Sequence, residues 1–168
     1  ICNGKSMRVR LNTVYLANSA TTKVCEEAVR AVVEIMTETY GNPSSLHSMG
    51  FAAEMKLREA RETVAGMLSA KPEEILFTSG GTESNNLALF SAAQAGVRHG
   101  KHIVTTAIEH PSVLRVMQQL EQQGFSVTYL APDKTGNLPP EAVRNAIHPD
   151  TILVSMMAVN NETGARMP

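Results

Sequence analysis

Apolar residues recur at helical spacing over residues 23–40, where Val24, Ala28, Val32, Ile35, Met36 and Tyr40 share one stripe. Gly41 closes that pattern, as a glycine just past the last periodic residue commonly does. A second stripe, Ala53, Leu57, Ala60, Val64, Met67 and Leu68, predicts a helix over 49–69 with a charged, solvated outer face. Residues 41–48 lie between the two and read locally as a plain linker, because Asn42-Pro43 is biased away from helix. Beyond residue 71 the period changes. Short apolar runs at 75–77, 102–108, 126–130 and 151–159 predict strands, and stripes at 84–95, 112–123 and 139–147 predict helices. A further strand-like run, Val14-Tyr15-Leu16, precedes the first helix. Gly124 stops the 112–123 helix, and Pro139-Pro140 suits the start of the next. Helices of this length alternating with buried strands imply βαβ units, an α/β fold with a mainly parallel sheet flanked by helices. The expected organisation is a polar, disordered tail over 1–13, an N-terminal helical segment over 14–70, and an α/β region over 71–168.

Composition narrows the functional classes without naming one. The 168 residues suffice for about one domain with a real core. A net charge of -1 gives no general attraction to nucleic acid or to an anionic membrane. No apolar run approaches the roughly 20 residues of a membrane span, and the first residues do not read as a signal peptide. The two cysteines, Cys2 and Cys25, make neither a metal-spacing pair nor a disulfide framework, so the cytoplasm is the expected location. No group of residues reads as a metal site. The chain begins at Ile1 and ends at Pro168 just after a polar loop, and both ends are expected to be cuts.

The stretch Phe77-Thr78-Ser79-Gly80-Gly81-Thr82-Glu83-Ser84-Asn85-Asn86 carries the first chemical signal. A buried run, two glycines and a helix start present unpaired backbone N–H groups to an anion. Thr78, Ser79 and Thr82 add hydroxyl donors for phosphate oxygens. Read locally, the stretch is either a phosphate cup or a tight strand-to-helix connection capped by Ser and Thr. It matches neither G-x-G-x-x-G nor the P-loop pattern, which disfavours a nucleotide-binding domain.

In open parallel sheets ligands bind beyond the carboxyl ends of the strands. Three polar groups fall there: residues 79–86, Glu109-His110-Pro111-Ser112, and Asn160-Asn161-Glu162-Thr163-Gly164. His110 alone reads as a capping or surface residue; beside a phosphate cup it is a candidate for ring stacking or proton transfer. The Asn pair reads as a turn or as a donor to a ligand oxygen.

Five motifs together resemble the cysteine desulfurases, pyridoxal phosphate (PLP) enzymes of the class V aminotransferase family with the type I PLP-dependent transferase fold. They are Tyr15-Leu16-x-Asn18-Ser19-Ala20-Thr21-Thr22, Gly41-Asn42-Pro43-Ser44-Ser45-x-His47, Thr78 to Asn86, Ile108-Glu109-His110 and Val159-Asn160-Asn161-Glu162-Thr163-Gly164. The resemblance runs from about Val14 to the last residue, in the family's order. It implies that residues 71–168 are the first part of a PLP-binding large domain. It implies that Gly81 and Thr82 bind the cofactor phosphate, that His110 stacks on the pyridine ring and moves protons, and that Asn161 hydrogen-bonds the phenolic oxygen. It further implies a homodimer that takes sulfur from L-cysteine as an enzyme persulfide, releases alanine, and supplies a sulfur-acceptor scaffold for iron–sulfur cluster assembly or tRNA thiolation. PLP acts there as the electron sink.

Two departures accompany the likeness. Ala17 stands where the family usually has Asp. The family's Asp partner of the pyridine nitrogen, its Gln, the lysine that holds the cofactor and the nucleophilic cysteine correspond to positions beyond Pro168, and neither Cys2 nor Cys25 matches the nucleophile. The motifs present are shared by selenocysteine lyases. A different class of reading is a non-catalytic module that serves only in binding or dimerisation.

Overall fold

The computed structural model describes residues 14–168, so the expected tail over 1–13 lies outside the described residues. The chain divides into two compact units, Ile1–Leu57 and Arg58–Pro168.

In the first unit, helix α1 spans Glu26–Thr37 and helix α2 begins at Ser48, running to Leu68. Helix α1 has an apolar stripe but buries none of it: Val29, Val32, Val33 and Met36 are all exposed. It ends at Thr37, with Glu38 N–H closing onto Glu34 O at 2.8 Å, so Gly41 is not its terminator. The glycine is needed for another reason: a Cβ there would stand 2.3 Å from the Met49 carbonyl oxygen. Residues 41–48 are more than a linker. Asn42 Oδ1 accepts the Ser44 N–H at 2.9 Å, and His47 Nδ1 accepts the Gly50 N–H at 3.2 Å, which caps the first turn of α2. The Val14–Leu16 run forms no strand.

In the second unit, a 3-10 turn at Pro72–Glu74 leads to α3 (Gly81–Gly96), β1 (His102–Thr106), α4 (Pro111–Gln122), β2 (Ser126–Leu130), α5 (Pro140–Ala146) and β3 (Thr151–Ser155). The three strands form one parallel sheet in the order β2-β1-β3. Strand β1 is central and buried throughout, although His102, Thr105 and Thr106 make three of its five residues polar. The chain moves from β1 to one side and then crosses to the other, so its two edges diverge around the end of β1. Val113, Val116, Met117 and Leu120 occupy one face of α4 at the spacing of a buried stripe. They pack with Leu89 and Ala93 of α3, with Ile103 of β1, and with Phe125. Gly124 takes φ +87°, a left-handed conformation that ends α4, while Phe125 N–H returns to Leu120 O at 3.1 Å.

The run Ile75-Leu76-Phe77 is not a strand, contrary to its pattern. Ile75 N–H closes the preceding turn onto Pro72 O at 3.1 Å, and among the described residues no strand runs beside it. A strand exists only through its partner's ladder. Leu76 is exposed, and Phe77 lies under the Arg61 guanidinium, 5.3 Å from ring centroid to Cζ.

At the amino end of the sheet, away from the polar strand ends, His102 is buried. Its ring nitrogens meet Thr128 Oγ1 and Thr151 Oγ1, each at 2.8 Å, and its ring stacks on His148, which pairs with Asp150. Burial lowers the His102 pKa, the neighbouring His148 adds to this, and Asp150 opposes it.

Candidate functional site

The glycine turn opens α3 without a side-chain cap, since Gly80 is its N-cap. The first N–H groups of a helix have no intrahelical acceptor, and the helix dipole adds partial positive charge there. Apart from its chain neighbours and the backbone of α3 itself, no atom of the described residues lies within 4 Å of where a Cβ would stand at Gly80 or Gly81, so the turn borders open space. The hydroxyls beside it are not all free. Ser79 donates its N–H and its Oγ–H to Glu83 Oε2, at 2.6 and 2.7 Å. Those two bonds hold the Glu83 carboxyl below its ordinary pKa. Thr78 Oγ1 lies 2.7 Å from Ser84 Oγ. Of the three hydroxyls expected to serve a phosphate, Thr82 alone stays uncommitted among the described residues, because its neighbours satisfy one another.

His110 precedes α4 and acts as its N-cap. Ser112 N–H donates to His110 Nδ1 at 3.1 Å, and Ser112 Oγ lies 2.8 Å from the same atom. A backbone N–H can only donate, so Nδ1 is an acceptor and the neutral ring carries its proton on Nε2. Asn85 Nδ2, on α3, donates to Ser112 Oγ at 2.8 Å. The Ser112 hydroxyl is thereby left to point its own hydrogen at Nδ1. Asn85, Ser112 and His110 form one directed chain that ties the glycine turn's helix to the histidine. A cleft of about 330 Å³ opens between the first turns of α3 and α4. Thr82, Asn86, His110, Ser112 and Arg115 line it, so two of the sequence candidates share one concavity.

Asn161 follows β3 on an exposed loop and does not line that cleft. Its neighbour Asn160 is buried and builds the loop. Asn160 Oδ1 accepts the N–H groups of Glu162 and Thr163, at 2.9 and 2.8 Å, as in an Asx turn. Asn160 Nδ2 donates to Ile108 O at 2.9 Å, across to the segment that leads into His110. On the other side Glu109 is buried, and its Oε1 accepts Thr106 Oγ1 at 2.7 Å and Met157 N–H at 2.8 Å. The strand ends of β1 and β3 are thus joined by side chains as well as by their ladder. Sequence reasoning passes over Glu109, Asn160, Ser112 and Asn85 as individual residues. A carboxylate three residues past the end of a buried strand is the available signal for Glu109.

An uncapped helix start beside open space, one free hydroxyl and a ring with its donor on Nε2 fit a phosphorylated planar ligand. Gly81 and Thr82 can hold a phosphate, and His110 can present a flat face or one N–H. Among the described residues no group of three or more His, Cys, Asp or Glu is placed to hold a metal ion.

Residues 14–168 match the family model described as aminotransferase class-V. A cysteine desulfurase IscS of Methanosarcina thermophila is 47% identical over 167 residues, covering 99% of this chain and 41% of that protein. Among solved structures, a NifS-like protein superposes with a TM-score of 0.83 at 41% identity, covering 90% of this chain and 42% of that one. DndA from Streptomyces lividans gives a TM-score of 0.78 at 44% identity, covering 92% of this chain and 44% of that one. The chain therefore spans about two fifths of the length of the relatives that it matches.

Proposed function

The chain belongs to the aminotransferase class-V family, and we propose that the protein carrying it is a cysteine desulfurase. The reaction is removal of sulfur from L-cysteine to give L-alanine and an enzyme persulfide. The observation that carries the reading is the uncapped glycine turn, whose Thr82 shares one cleft with His110, in a chain 47% identical to a cysteine desulfurase. The family's cofactor is PLP, and residues 71–168 are read as the first part of the domain that binds it. When bound, PLP supplies the electron sink that makes bonds around the substrate's α-carbon breakable.

This chain's residues have distinct tasks in that reading. The Gly81 and Thr82 N–H groups and the Thr82 hydroxyl take the cofactor phosphate, aided by the positive end of α3. His110 lies against the pyridine ring and offers Nε2–H, the only ring nitrogen that its own chain leaves available. Asn161 donates its amide to the phenolic oxygen. Ser112 and Asn85 keep the His110 ring turned one way. The names of the relatives support delivery of the sulfur to iron–sulfur cluster assembly. The exposed apolar stripe of α1 is compatible with a homodimer, and no described helix is long and apolar enough to cross a membrane. A sulfur-acceptor scaffold protein and a cytoplasmic location complete the proposal.

The test is incubation of the complete polypeptide with PLP and L-cysteine, with alanine and sulfide assayed together. Equimolar alanine and sulfide are expected. A PLP-loaded protein that releases neither overturns the reading.

A further inference from the structure

The two exposed candidates, His110 and Asn161, each follow a buried polar residue that reaches across to the other's strand. Glu109, 6% exposed, accepts the N–H of Met157 beyond β3. Asn160, 5% exposed, donates to the carbonyl of Ile108 beyond β1. The β1–β3 ladder stops at Thr105 and Ser155. Beyond that pair nothing in the sheet fixes the separation of the two chains. The reciprocal bonds, Glu109 to Met157 and Asn160 to Ile108, continue the connection after the ladder ends.

We propose that Glu109 and Asn160 are positioning residues, which set the spacing between His110 and Asn161 by this pair of crossed tethers. The inference rests on the reading of His110 and Asn161 as cofactor contacts, and adds two residues that touch no ligand. Burial makes the tethers effective, because an amide or carboxylate removed from water has few partners to exchange for. Glu109 also takes the Thr106 hydroxyl, so its carboxylate is anchored to β1 before it reaches over to Met157. Asn160 is anchored likewise by the turn that it caps. Each tether therefore has one end rooted in its own strand.

The experiment uses the complete PLP-loaded polypeptide and four chains: wild type, Glu109→Ala, Glu109→Gln and Asn160→Asp. Three quantities are read, namely amide hydrogen exchange at Met157, the visible absorption spectrum of the bound cofactor, and kcat separately from KM. Glu109→Ala is expected to speed Met157 exchange, to shift the spectrum of the bound fraction and to lower kcat by about 10- to 100-fold, the scale of a small misplacement of reacting groups. Glu109→Gln keeps an acceptor oxygen and is expected to restore most of all three. Asn160→Asp keeps the turn acceptor but replaces the Nδ2 donor to Ile108 O and Met157 Sδ by a carboxylate oxygen that repels the Ile108 carbonyl, so it is expected to shift the spectrum while the Glu162 and Thr163 amides stay protected. If Glu109→Ala lowers thermal stability alone and leaves spectrum and kcat at wild-type values, the positioning role is overturned. It is overturned as well if Glu109→Gln fails as badly as Glu109→Ala. Should Glu109→Ala not fold, Asn160→Asp decides: a shifted spectrum supports the tether and an unchanged one overturns it. A wild-type protein that takes up no PLP overturns the cysteine desulfurase reading instead. Met157 exchange then still judges the tether, unchanged exchange in Glu109→Ala overturning it.

Discussion

Thr105 and Thr106 are adjacent on the central strand, both wholly buried, and they should respond oppositely to the same substitution. Among the described residues Thr105 Oγ1 has no hydrogen-bond partner, whereas Thr106 Oγ1 donates to Glu109 Oε1 at 2.7 Å. Valine keeps the branched shape that suits a strand, so Thr→Val replaces a hydroxyl by a methyl and changes little else. At Thr105 it relieves an unpaired buried hydroxyl, whose desolvation costs about 1–3 kcal/mol. At Thr106 it removes a hydrogen bond to a carboxylate, worth about 1.5–3 kcal/mol, and leaves Glu109 Oε1 with the Met157 N–H alone. Thr105→Val should therefore stabilise by about 1 kcal/mol and Thr106→Val should destabilise by about 2 kcal/mol. Urea unfolding followed by circular dichroism reads this directly. With a slope of about 1–3 kcal/mol/M, the two midpoints should separate by roughly 1–3 M, on either side of the wild type. Equal destabilisation by both variants would refute the reasoning, because it would mean that the Thr105 hydroxyl is paired or that the methyl does not fit.

Three further outcomes are expected. The His102 pKa is lowered, so the folded chain binds fewer protons than the unfolded one as pH falls below the unfolded value of about 6.5; the stability contribution is whole above that pH and is lost below it, and urea midpoints between pH 8 and 5 should fall in the wild type and flatten in His102→Gln. Gly124→Ala should cost roughly 1–2 kcal/mol in the same assay, because φ +87° is a left-handed conformation that a Cβ disfavours. Thr82→Val should weaken PLP binding by about 10- to 100-fold in a cofactor titration, since it removes the one uncommitted hydroxyl of the glycine turn and a hydrogen bond to a charged group is worth about 1.5–3 kcal/mol; an unchanged affinity would remove Thr82 from the site.

Elements whose stabilisation is local are legible in the sequence. Helix α4 and strand β2 appear where the pattern puts them, because a 3.6 or 2 period states directly which face is buried. The 75–77 run misleads because its apolar residues report burial tendency, and a strand also requires a neighbour. Gly41 misleads for a related reason. A glycine after a helical stripe looks like a terminator, yet what demands it is the Met49 carbonyl, eight residues on. In each case the deciding atom belongs to another part of the chain.

The candidate site divides along the same line. The glycine turn, His110 and the Asn160-Asn161 pair stand out locally because they fall at strand ends and helix starts, where ligands bind, and the family resemblance singles out Gly81, Thr82 and Asn161 among them. What orders them is not legible, because Glu109 and Asn85 act through partners 48 and 27 residues away, which no spacing rule connects. The chemistry of Ser79 shows the converse error. Its hydroxyl looks available to a phosphate, but Glu83 four residues later on the same first turn takes both its N–H and its Oγ–H. A carboxylate at a helix start satisfies the dipole that would otherwise draw the ligand, so its presence there weakens the anion site unless it is turned aside. Ser79 N–H and Oγ–H tie the Glu83 carboxylate to the loop before α3. In the proposed reading this tether restrains a competing charge, and Ser79→Ala, which keeps the backbone N–H bond to Glu83 and loses only the hydroxyl's, should weaken PLP affinity modestly in the cofactor titration without removing any phosphate contact.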